Sequence, residues 1–176
     1  MADLEMSSGL ERLGGPSALW RVGIYGELSE IGNSDKTSMA KCFYLATRKD
    51  DSERADTLSK ALNAHGWERT FTWKNQNDGT LDGNAIIAAA EIEGVRKADV
   101  LIVLLPGGFG THVEIGAALA LGKPVILHAP DRTTLDKPYP YVFHYHPRVK
   151  LLVSETLEIS TILAFMDDCT GQGMTS

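Results

Sequence analysis

Short apolar runs alternate along this chain with stretches whose apolar residues recur at helical spacing. The strongest run, Val100-Leu101-Ile102-Val103-Leu104-Leu105, has no polar position. Such a run between turn signals predicts a strand buried on both faces. Residues 41–47 and 124–129 have the same character, and 149–153 is a weaker example. Residues 67–73 read as a further strand, carrying Trp67, Thr70, Phe71 and Trp73. Residues 51–65 set Ala55, Leu58, Ala61 and Leu62 on one face of a helix that Gly66 stops. Helices are also predicted over 84–98, 111–121 and 155–167. A polar loop spans 74–83, and a long loop rich in Pro, Tyr and His spans 130–147. Strand and helix in alternation imply an α/β fold: a single-domain, Rossmann-like or flavodoxin-like, doubly wound parallel sheet of about five strands with right-handed crossovers.

Residues 1–38 break that rhythm. Ser7-Ser8-Gly9, Gly14-Gly15-Pro16-Ser17 and Gly32-Asn33-Ser34-Asp35 cut the segment into short pieces. It reads as an N-terminal extension, partly disordered or packed on the outside, with the α/β domain at 39–176.

Composition works mainly by exclusion. The 176 residues suffice for one domain with a real core. No apolar stretch approaches the roughly 20 residues of a membrane span, and the N-terminus lacks a signal-peptide pattern. Cys42 and Cys169 lie far apart without metal-ligand spacing. They read as reduced thiols of a cytoplasmic protein. A net charge of −6 argues against a nucleic-acid polymer as partner. It leaves room for a small anion, which backbone N–H groups can hold inside an acidic protein.

The candidate chemistry follows the central strand. Pro106-Gly107-Gly108-Phe109-Gly110-Thr111 carries more glycine than a strand-to-helix turn needs. Glycine permits positive φ and close backbone approach to a ligand. Gly107, Gly108, Gly110 and Thr111 are therefore candidate substrate-binding positions. Glu114 falls in the first turn of the predicted helix 111–121, whose stretch from Val113 has no other charge. Two readings stay open. Thr111-x-x-Glu114 is the pattern of a capping box. A carboxylate held ionised at a helix start beside an α/β crevice also suits a nucleophile, or a stabiliser of a cationic transition state.

Glu91 is odd on physical grounds. Ile87, Glu91, Val95 and Ala98 share one stripe of the helix 84–98, so a carboxylate sits among apolar residues. Either it pairs with Arg96 or Lys97 at the stripe's edge, or it points at the crevice. Two carboxylates converging on one crevice are what glycosidic cleavage uses. Tyr44 either hydrogen-bonds a carboxylate at the sheet's end or simply packs. Trp73, Asn75, Asn77 and Asp78 either stack on and read a base or are ordinary loop residues. His112 is either a substrate contact or solvated. Tyr139, Tyr141, His144, Tyr145 and His146 fit a lid, a subunit contact or a packed loop. The histidines lack the spacing that would argue for zinc, so no metal is expected, and no cofactor.

Phe43-Tyr44-Leu45-Ala46, the stretch from Glu91 to Asp99, and Gly110-Thr111-His112-Val113-Glu114-Ile115-Gly116 with Gly122-Lys123-Pro124 resemble the nucleoside 2-deoxyribosyltransferase-like proteins. That group includes deoxyribosyltransferases and related nucleotide N-glycosidases. The resemblance runs from about residue 41 to residue 130, and the motif around Glu114 is its specific part. It implies that Glu114 attacks the anomeric carbon and that Tyr44 orients it. Glu91 falls where many members carry an aspartate that works on the nucleobase; glutamate is one methylene longer. The implied activity is cleavage or transfer at the N-glycosidic bond of a nucleoside or nucleoside 5′-monophosphate. The implied partners are that small molecule and, by family analogy, further copies of this chain. The loop also resembles the Pro-Gly-Gly-x-Gly-Thr-x-x-Glu motif of cytokinin-activating phosphoribohydrolases, which cleave the same kind of bond. The spacing from Glu114 to Gly122-Lys123-Pro124 fits the first family better. A non-catalytic nucleotide sensor is the alternative of a different class. A dinucleotide-binding module is disfavoured, because no G-x-G-x-x-G follows the first strand.

Overall fold

The structure, a computed structural model, describes residues 40–72, 80–136 and 140–171. The expected extension over 1–38 lies outside the described residues, as do Trp73, Asn75, Asn77, Asp78 and Tyr139. One sheet contains β1 (Lys41–Ala46), β2 (Trp67–Arg69), β3 (Val100–Leu104), β4 (Val125–Ala129) and β5 (Val149–Val153). All neighbours run parallel, in the order β2-β1-β3-β4-β5. Tyr44 stands opposite Leu101, Leu101 opposite Val125, and Val125 opposite Val149. This is flavodoxin-like winding, as the alternation predicts.

The apolar run of β3 divides between two cores because alternate side chains leave opposite faces. Ile102 and Leu104 join Phe43, Leu45, Ala55, Leu58, Leu62 and Ile162. That core is shared with α1 (Ser52–Ala64) and α5 (Ile159–Gly171). Leu101 and Val103 join Tyr44, Val95, Ile115 and Ala118. This second core is shared with α2 (Leu81–Lys97) and α3 (Phe109–Ala120). Each large apolar side chain buried this way contributes about 1.5–3 kcal/mol. Gly66 (φ +81°) and Gly122 (φ +70°) follow the ends of α1 and α3 in the left-handed region. Lys123 Nζ donates to the Ala98 carbonyl, the C-cap of α2. The Gly122-Lys123 pair thus has a structural use at two helix ends. No helix among the described residues is long and apolar enough to cross a membrane.

Several boundaries differ from the sequence prediction. β2 stops at Arg69, and the Thr70 N–H makes a last bond to the Phe43 carbonyl at 2.9 Å. Phe71 leaves the sheet and stacks on the Tyr44 ring, 6.1 Å between centroids. α2 begins three residues early because Thr80 caps it, its hydroxyl accepting the Gly83 N–H at 3.0 Å. Such a cap stabilises a helix by about 1 kcal/mol. α5 begins later than predicted, at Ile159. The loop 130–147 carries α4 (Arg132–Asp136) and a 3-10 turn at Val142–Tyr145. Asp131 starts α4 by accepting the Thr134 N–H at 2.6 Å.

Candidate active site

The strand order reverses between β1 and β3, and doubly wound sheets bind ligands beyond the strands' carboxyl ends at such a point. A cleft of about 560 Å³ opens there, a size that suits a small molecule. Residues Thr47 to Asp50, following β1, form one wall. Gly108, Gly110 and Thr111, following β3, form the other. Glu91 and Glu114 complete the lining.

α3 begins at Phe109 with Gly108 as its N-cap, two residues earlier than predicted. Thr111 is the third helical residue; its hydroxyl accepts the Gly108 N–H at 3.2 Å. Glu114 therefore stands in the second turn, and the Thr111–Glu114 capping box does not form. Its carboxylate goes to Tyr44 instead: Tyr44 Oη donates to Glu114 Oε1 at 2.5 Å. The expectation of a carboxylate held ionised by first-turn N–H groups is corrected with it. Glu114 is 6% exposed. Burial pushes its pKa up to about 7, the Tyr44 hydrogen bond opposes this, the Glu91 charge adds to it, and Arg69 opposes it. The Tyr44 phenol is raised far above its ordinary range, first by burial and then by Glu114, so at neutral pH it donates.

Tyr44 depends on a residue with no chemistry of its own. A Cβ on Gly94 would stand 2.9 Å from the Tyr44 ring and 2.9 Å from Phe71 Cβ. Only glycine lets α2 lie this close to β1. Gly94→Ala is expected to lower stability by about 1–3 kcal/mol through overpacking. Chemical denaturation reads this directly, and an unchanged midpoint would contradict the packing described. Arg69, which sequence reasoning also missed, reaches from β2 to Ser59 Oγ at 3.2 Å and lies 3.8 Å from Asp56. Its charge favours the ionised form of Glu114.

Glu91 is half-buried, and burial raises its pKa. The cations offered as its partners by the sequence go elsewhere: Arg96 lies 2.6 Å and Lys97 3.5 Å from Glu93. Among the described residues Glu91 makes no ion pair, and its charge is felt by both Glu114 and Tyr44.

The glycine loop works differently from the expectation. Gly66 and Gly122 are the positive-φ glycines among the described residues, so the loop does not use left-handed backbone. Gly107 lies outside the cleft lining; a Cβ there would stand 2.7 Å from Thr111 Cγ2. Gly108 and Gly110 have open space where a Cβ would stand, and both line the cleft. His112 does not line it. His112 Nδ1 lies 2.8 Å from the Gly108 carbonyl oxygen, so that nitrogen carries the proton. Its ring packs on Tyr141, at 4.4 Å, and on His144, at 5.5 Å. His144 is 2% exposed, and burial, then the nearby His112, lowers its pKa to about 4. Tyr145 donates to Asp136 at 2.9 Å. This part of the loop 130–147 is packed against the start of α3. Among the described residues no group of His, Cys, Asp and Glu is placed to hold a metal ion.

The chain is similar in structure to the CMP N-glycosidase BcmB of Clostridium botulinum: TM-score 0.50, 23% identity, covering 72% of this chain and 99% of that one. It is also similar to a conserved protein from Enterococcus faecalis V583: TM-score 0.53, 18% identity, covering 75% and 98%. These likenesses are of fold. No curated protein matches the sequence. The sequence profile described as nucleoside 2-deoxyribosyltransferase matches residues 43–171, most of the chain and all five strands' core. With that match added to the fold and the cleft, the chain belongs to the nucleoside 2-deoxyribosyltransferase family of enzymes.

Proposed function

We propose that this enzyme breaks the C1′–N bond of a nucleoside 5′-monophosphate or nucleoside with Glu114 as its nucleophile. The 2.5 Å hydrogen bond from Tyr44 to Glu114, at the cleft of the β1/β3 switch point, carries the proposal. Tyr44 fixes one carboxylate oxygen and leaves the other for C1′. As the C1′–N bond breaks, its electrons go to the departing base, which takes a proton from Glu91. Glu114 stabilises the oxocarbenium-like centre and forms an ester with C1′. Water or a second base, either one giving its proton to Glu91, then attacks C1′ and releases the Glu114 carboxylate. Water makes the enzyme a hydrolase and a base makes it a transferase, both with retention of configuration.

A 5′-phosphate is supported by the start of α3. Backbone N–H groups there face an anion with favourable dipole, and the open positions at Gly108 and Gly110 admit it. Arg48 and Lys49 line the same cleft. Trp73 and Asp78 are proposed to contact the base. His112 is proposed to act on the loop, through the Gly108 carbonyl, more than on the ligand. Cys42 and Cys169 are free thiols, which fits a cytoplasmic enzyme. Phe109, 98% exposed at the cleft's edge, and exposed Val142 and Phe143 fit a homo-oligomer contact.

The test is a panel of ribo- and deoxyribonucleosides and their 5′-monophosphates, each with and without a second free base, followed by chromatography. Base release or exchange is the expected result, with monophosphates preferred. Binding without turnover across the panel would replace the enzyme by a nucleotide sensor. Tyr44→Phe is expected to lower kcat/KM about tenfold. It removes a donor to the ionised carboxylate, so Glu114 titrates higher. The acid limb of the pH profile is expected near pH 7 in the native enzyme, where Glu114 titrates, and is expected to move upward in the variant. A limb that stays in place would contradict the assignment.

A further inference from the structure

The two walls of the cleft are tied together by a hydrogen-bonded clamp behind them. Arg54 stands in the first turn of α1. Its Nη2 donates to the Leu105 carbonyl at 2.9 Å and lies 2.6 Å from Asp51 Oδ2. The same Asp51 oxygen accepts the Thr47 hydroxyl at 3.2 Å, and Thr47 also reaches the Leu104 carbonyl at 3.4 Å. Thr47 and Asp51 belong to the loop after β1. Leu105 is the first residue after β3 and leads through Pro106 and Gly107 to Gly108. One guanidinium nitrogen therefore holds both loops at the switch point.

The arrangement has the parts of a positioning device. Charge-assisted bonds to a carboxylate are shorter and stronger than neutral ones. Arg54 and Asp51 are each about 30% exposed, so water screens the pair only in part. Leu105 lies just past the end of β3, where the next residue, Pro106, has no N–H to offer. Without Arg54, the sheet bond from Leu105 N to the His128 carbonyl still holds that residue's other side. The loop beyond it would lose the Arg54 link to Asp51, leaving among the described residues only the longer Thr47–Leu104 contact, one residue back, between the walls. The Tyr44–Glu114 pair is anchored separately, on β1 and α3, and does not touch Arg54.

We propose that Arg54, with Asp51, is a positioning residue that sets the width of the cleft between residues 47–50 and 107–110. Its kinetic arm rests on the glycosidase reading above; its structural arm does not. Arg54 touches no reacting atom, so its removal acts on substrate placement. A displacement of order an ångström in a reacting geometry costs up to about 100-fold in rate.

The experiment compares the full chain with Arg54→Met, Arg54→Lys and Asp51→Asn. Backbone hydrogen exchange is followed by mass spectrometry beside steady-state base release. In Arg54→Met, the hydrogen-bonded amides of the two walls, Asp51 (to the Arg48 carbonyl) and Gly108 (to Thr111 Oγ1), are expected to exchange about tenfold faster while the strands keep their protection. kcat/KM is expected to fall roughly tenfold, mostly through KM, with the acid limb unmoved. Arg54→Lys keeps a charged donor and is expected to recover part of both losses. Unchanged exchange at Asp51 and Gly108, or faster exchange spread evenly over the sheet, would overturn the clamp. If Arg54→Met does not fold, Asp51→Asn decides on the same readouts. If the native enzyme releases no base at all, the glycosidase reading falls, and hydrogen exchange still decides the clamp.

Discussion

Glu114→Gln is expected to lower base release or exchange by at least about 10³-fold while ligand binding stays within a few-fold. Glutamine keeps the shape, and its carbonyl oxygen can still accept the 2.5 Å bond from Tyr44. It cannot form the ester with C1′ or stabilise its positive charge. A sensor would keep its ligand and its output in this variant; an enzyme keeps only the ligand. The same substitution is expected to make the protein more stable at alkaline pH. Burial lifts Glu114 from an ordinary 4.5 to about 7. Because the folded pKa is raised, no cost is present below 4.5, where the group is protonated folded or unfolded. The cost grows as pH rises and is complete above 7. At pH 8 it amounts to about 3 kcal/mol, which glutamine removes. Denaturation of both proteins at pH 4 and pH 8 reads it. Equal stability at pH 8 would mean that Glu114 is not a strained, buried carboxylate.

Glu91→Gln is expected to slow base departure by about 10²-fold, the usual worth of a positioned acid. Burial raises the Glu91 pKa, so more of it is protonated at neutrality than of an exposed glutamate. The loss is expected to depend on the leaving base. A base that departs readily without a proton should be nearly indifferent to the change; a basic, poor leaving group should show the full effect. A second sign is independent of rate. The Glu91 charge raises the Glu114 pKa, so its removal moves the acid limb to lower pH. An equal loss for every base, with the limb fixed, would contradict the acid role.

The strands were legible because burial on both faces leaves no polar residue in β3 and only the buried His128 in β4. β2 was overread. An edge strand has one neighbour, and Phe71 gains more against the Tyr44 ring than by extending the sheet. The start of α3 was misread for a physical reason. A threonine hydroxyl that accepts an N–H from three residues before it satisfies the same kind of bond as a cap, from the other side. Once the start moves to Phe109, Glu114 moves out of the first turn. Its pairing with Tyr44, 70 residues away, has no local signature; the residues left it as one of two readings of Tyr44, and the resemblance alone named Glu114 as the partner. Gly94 did leave a signal. A glycine inside a helix costs about 1 kcal/mol against alanine, so its presence in α2 called for a close approach. Arg69 and Arg54 left none. Their meaning lies in which carbonyl and which carboxylate the fold sets before them.

A covalent ester between Glu114 and C1′ can be trapped. A 2′-fluoro nucleotide disfavours positive charge at C1′ and slows release of the ester. Incubated with the native enzyme, it is expected to leave a sugar phosphate on the peptide carrying Glu114, found by mass spectrometry and absent from Glu114→Gln. A label on another residue, or turnover with inversion at C1′ and no label, would contradict the account.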